Sequence, residues 1–108
     1  MIIVTVTPRD EPNLFGSLRT KETALRREEK GTLHRAGKRK SGEEKWTHAR
    51  YKGSIRFQKC LGGVVAAMIE SNSETDEWQL LQSFVGFLYR HFRAEISSVS
   101  LSFPADEE

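Results

Sequence analysis

Between Glu74 and Arg93 the chain reads as one long helix whose apolar residues fill two adjacent stripes instead of one. At ~100° per residue, Trp78, Leu81, Val85, Leu88, Tyr89 and Phe92 form one stripe. Leu80, Phe84, Phe87 and His91 form a second beside it, and Gln79, Gln82, Ser83, Gly86, Arg90 and Arg93 hold the polar remainder. The apolar arc is roughly 200° wide, about twice what packing on one sheet requires. Ser73 or Thr75 supplies an N-cap. Glu74, Asp76 and Glu77 sit at the positive end of the helix dipole, and Arg90, His91 and Arg93 at the negative end.

The segments around this helix read as strands. In Ser54–Cys60, Ile55 and Phe57 alternate with Ser54, Arg56 and Gln58. Leu61-Gly62-Gly63 is a turn, because glycine tolerates positive φ. Val64–Ile69 is a continuous apolar run, as expected of a strand covered on both faces. Residues 54–70 therefore predict a β-hairpin. Ser97–Phe103 alternates serine with Val99, Leu101 and Phe103 and predicts a half-buried strand ended by Pro104. Upstream, Ile2–Thr7 is a strand ended by Pro8, and Pro8–Gly16 is a loop. Ser17–Lys30 is a marginal, largely exposed helix with only Leu18, Ala24 and Leu25 as apolar content. Thr32–Ala36 and Lys45–Tyr51 flank residues 37–44 as a second hairpin.

The fold class is α+β: a small, mainly antiparallel sheet with a β-β-α-β core, an added N-terminal strand and hairpin, and one long amphipathic helix on one face. A chain of 108 residues fits one domain, 1–103, with a basic and partly irregular region at 17–52 and a disordered acidic tail at 104–108. The surplus helix stripe and the doubly apolar strand both call for more cover. Either the N-terminal 50 residues fold back over them or a second copy does. The low apolar content of that half favours a homodimer, with Leu80, Phe84, Phe87 and His91 at its interface.

Charge is distributed unevenly. Ser17–Lys59 carries 14 Lys/Arg against 5 Asp/Glu, whereas Cys60–Glu108 carries 2 against 8. Such asymmetry is the mark of a polyanion partner or of a solvated loop. Nucleic-acid binding would use Arg35, Lys38, Arg39, Lys40, Lys45, Arg50 and Lys52 on phosphates, with Trp46 and Tyr51 stacking on bases. No zinc-finger spacing, RNP motif or clear helix-turn-helix accompanies these residues.

Chemistry leaves little trace in the sequence. His34, His48, His91 and Cys60 are widely separated, with no CxxC, HxH or HExxH, so no metal and no cofactor is expected. Gly62-Gly63 lacks the Lys-Ser/Thr of a phosphate loop. No signature surrounds Cys60 as a nucleophile. The apolar start, Met1–Val6, is too short for a signal-peptide core, and no apolar run approaches the ~20 residues that span a bilayer. One cysteine excludes an internal disulfide. The expectation is a small cytoplasmic binding protein acting as a homo-oligomer, with nucleic-acid binding as the alternative and a small enzyme without a readable motif after that.

Overall fold

A computed structural model of the chain describes residues 1–10 and 12–105. It shows a six-stranded antiparallel sheet with two helices packed on one face. The elements run β1 (Ile2–Pro8), α1 (Leu14–Arg27), β2 (Leu33–Arg35), β3 (Glu43–His48), β4 (Ser54–Lys59), β5 (Val65–Glu70), α2 (Glu74–Phe92) and β6 (Ile96–Ser102). The strand order is β2-β3-β4-β5-β1-β6. Of the expected acidic tail, residues 106–108 lie outside the described residues.

The 54–70 hairpin forms as its pattern predicts. Ser54 pairs with Glu70 and Lys59 with Val65, and Gly62 and Gly63 take positive φ in the connecting turn. This register puts Ile55 and Phe57 on the same face as Val65, Ala67 and Ile69, and all five are buried. The N-terminal strand inserts between β5 and β6, adding Ile2, Val4 and Val6 to that face. The Ser73 side chain caps α2 by accepting from the Asp76 N–H at 3.2 Å.

Two expectations change. First, the helix expected over 17–30 begins at Leu14 and is firmly packed. Asn13 caps it, its side chain accepting from the Gly16 N–H. Starting one turn earlier brings Leu14 and Phe15 onto the face already holding Leu18, and all three are buried. A helix carrying only Leu18, Ala24 and Leu25 would be marginal, but one that also carries Leu14 and Phe15 docks. Second, β5 is not covered on both faces. Val65, Ala67 and Ile69 are interior, while Val64, Ala66 and Met68 are only half-buried, because both helices lie on the other side of the sheet.

The surplus stripe of α2 is covered from within the chain. Trp46 of β3 is fully buried, with ring centroids 4.8 Å from Phe57, 5.1 Å from Phe87 and 6.2 Å from Phe84. Phe15 of α1 closes on Phe57 at 5.6 Å. The expected interface residues Leu80, Phe84 and Phe87 are therefore interior side chains of a single copy, and His91 lies half-buried against Phe87. The reason is the sparse but well-placed apolar content of the N-terminal half: Leu14, Phe15, Leu18, Leu33 and Trp46 all point into this space.

Candidate functional site

On the sheet face that carries no helix, strand alternation exposes polar side chains. The register sets Lys45 of β3 opposite Arg56 of β4, and Arg56 opposite Met68 of β5. Directly opposed residues have Cβ atoms about 4.5–5.5 Å apart, and like charges so placed destabilise a sheet. The loop 36–42 between β2 and β3 stands beside this pair. It is tied down by an Ala36 N–H bond to the Lys45 carbonyl, a bridge between Lys40 and Glu43, and a Lys59 N–H bond to the Gly42 carbonyl. Loop and strands enclose a groove of about 350 Å³ whose lining includes Lys38, Lys40, Lys45, Arg56, Gln58 and Met68 together with Glu43 and Glu44.

Among the described residues, none of Lys38, Lys40, Lys45 and Arg56 forms an ion pair. Two buried carboxylates are engaged elsewhere, whereas Glu43 is exposed at the groove. Glu44 is buried, its Oε1 3.6 Å from Arg19 Nε, and its Oε2 accepts from Trp46 Nε1 at 3.4 Å. Glu22 is buried beneath α1, with His34 Nδ1 at 3.1 Å and Arg26 Nε at 3.5 Å from Oε2. The two buried carboxylates thus engage the part-exposed Arg19 and Arg26, and the four groove cations are left to solvent.

The candidate nucleic-acid residues do not form one surface. Lys38, Lys40 and Lys45 reach the groove. Arg39 turns to α1, its Nη2 3.5 Å from Thr23 Oγ1, and lines a separate cleft with Arg19 and Arg27. Arg35 has its Nε buried. Arg50, Tyr51 and Lys52 lie in the β3–β4 connection, at the far end of those strands from the 36–42 loop. There the Lys52 N–H donates to Asp76 and Tyr51 stacks on His48 at 4.6 Å. Trp46 is not a stacking platform, because it alternates with the exposed Lys45 and so points inward on the same face as Glu44, where it is 0% exposed. Arg56 is the residue that sequence reasoning missed. Its place on the polar side of β4 was readable, but its neighbour Lys45 was not until the β3–β4 register was known.

His48 and His91 are committed to local structure. His48 Nδ1 accepts from the Arg50 N–H at 2.9 Å, and His91 packs edge-on against Phe87. Burial, and then the Arg50 charge, holds the His48 pKa below its ordinary 6.5. Burial, then Lys21 and Arg90, does the same for His91. Cys60 is half-buried at the end of β4, and its N–H donates to the Val64 carbonyl. Among the described residues, no three His, Cys, Asp or Glu side chains gather as a metal cluster, and no helix is long and apolar enough to cross a membrane.

Comparison with protein families, with curated proteins and with solved structures finds no match to this chain. The class that fold and site define is therefore a structural one: an α+β domain with a helix-covered face, an open face, and a basic groove at one end of the open face.

Proposed function

We propose that the protein binds nucleic acid by its phosphate backbone, along the groove between the 36–42 loop and strands β3 and β4. The observation that carries this reading is the directly opposed pair Lys45 and Arg56, with Lys38 and Lys40 beside it and no carboxylate paired to any of the four among the described residues. An arrangement that destabilises the free sheet becomes favourable once an anion lies between the charges. With Trp46 and Phe57 interior, the groove offers no aromatic platform, so contact falls on phosphates and not on base faces.

Fluorescence anisotropy with labelled single-stranded and duplex oligonucleotides tests this. Four phosphate contacts predict that log K falls against log salt with a slope of about −3 for single strands and about −3.6 for duplex. Lys45→Glu with Arg56→Glu should abolish binding, whereas Arg93→Glu at the far end of α2 should leave it unchanged. Absence of binding at low salt, or binding indifferent to the groove charges, would refute the reading.

A further inference from the structure

The two edges of the sheet differ sharply. β2 is three residues long and packs against α1. β6 is seven residues long, and six of them are exposed. Natural sheets guard long edges with charge, proline, bulges or a covering element. Between Ile96 and Phe103 there is no charged residue and no proline, and the only irregularity in the β1–β6 ladder lies at its start, by Thr7 and Pro8.

The strand's side chains sort cleanly by face. Val99 pairs with Val6 and Leu101 with Val4, so both share the helix-covered face, while Ser98, Ser100 and Ser102 occupy the open one. On α2, Phe87 packs on Trp46, and His91 and Arg90 help line a cleft beside Leu33 of β2. The stripe Trp78, Val85 and Tyr89 is therefore rotated to the other flank, toward β6. Trp78, Tyr89 and Phe103 are 52%, 62% and 67% exposed, and Val99 and Leu101 are 38% and 44% exposed. With aromatic side chains at ~200 Å² each, this strip presents roughly 500 Å² of apolar surface. A stable interface uses about 800 Å² per partner. The strand backbone and its serines supply the remainder.

From this strip and edge we infer that a second copy of the chain pairs with β6 antiparallel, about a two-fold axis normal to the sheet. A second copy fits because the edge is self-complementary. With Ser100 on the axis, Val99 of one copy faces Leu101 of the other on the helix side, and serine faces serine on the open side. Each backbone edge group finds a partner, and no like charges meet. The same operation sets the Trp78–Val85–Tyr89 flanks of the two α2 helices toward each other across the new pair, extending the sheet to twelve strands. The inference is independent of the basic groove.

The test is the mass of the intact chain by sedimentation and light scattering, at a salt concentration high enough to suppress polyanion binding. The expected mass approaches twice 12.3 kDa as concentration rises. Leu101→Lys and Val99→Lys, at part-exposed edge positions, should each return it to the monomer with an unchanged far-UV spectrum. Hydrogen exchange on the unmodified protein gives a second readout: the β6 amides turned away from β1 should gain protection as concentration rises. A monomer mass up to the solubility limit, fast exchange of those amides throughout, or a dimer that survives both substitutions would overturn the proposal.

Discussion

Gly53 shows how one position can be decided by its surroundings. It enters β4 at φ 119°, and a Cβ there would collide with the Glu70 carbonyl oxygen and stand 2.8 Å from Ser71 Cβ and 2.9 Å from Leu80 Cδ1. Gly42, at φ 72°, has open space around it. Gly42→Ala therefore carries only left-handed strain, about 1 kcal/mol, whereas Gly53→Ala adds a clash with backbone and core and should cost about 3 kcal/mol or more. Urea midpoints at unchanged m-value will separate the two. His48 gives a pH signature. Because its folded pKa lies below 6.5, the unfolded chain takes up this proton first as pH falls. The stabilisation is complete above about 6.5 and is lost as pH drops toward the folded value. Protonation of Nδ1 also removes the bond from the Arg50 N–H. His91 shifts in the same direction. Thermal melts should show His48→Gln with His91→Gln declining less than the unmodified chain between neutral and mildly acidic pH.

At the level of elements, α1 carries the largest difference between sequence reading and structure. The prolines and Gly16 suggest a loop as far as residue 16, yet Asn13 caps a helix that already contains Leu14, Phe15 and Gly16. Helix propensity in Ser17–Lys30 is weak evidence, because docking of an apolar face and not propensity holds most helices in place. Phe15, buried and edge-on to Phe57, is the contact that makes α1 part of the core. Phe15→Ala should cost about 3–5 kcal/mol in chemical denaturation. It should also expose the Phe84–Phe87 region of α2, read as increased binding of a hydrophobic dye. The 54–70 hairpin and α2 were legible for the opposite reason. Their turn chemistry, alternation and caps are local, and nothing in the tertiary structure opposes them.

On the scale of the whole molecule, the two surfaces sit at opposite ends of one sheet, with the basic groove over β3 and β4 and the apolar edge on β6. Strand β1 lies between β5, whose Met68 lines the groove, and β6, and Lys45 and Leu101 are on strands with three others between them, so substitutions at the two ends should act additively. Lys45→Glu should weaken oligonucleotide binding per chain without changing mass, and Leu101→Lys should change mass without changing intrinsic affinity per chain. A double variant that departs from the sum would show that the two surfaces communicate. The sequence by itself determined the α+β class, the central hairpin, the long capped helix and the excess of positive charge before Cys60, because each rests on periodicity, turn residues or composition. It also established that α2 carries an unusually wide apolar surface. Only the tertiary structure decided what covers it. Trp46 packs on Phe84 and Phe87, and Trp78 and Tyr89 stay exposed. It likewise decided which cations meet, since Lys45 and Arg56 are eleven positions apart in the chain and become neighbours only through strand register. Periodicity fixes which face a side chain joins, but packing between distant segments fixes what that face meets.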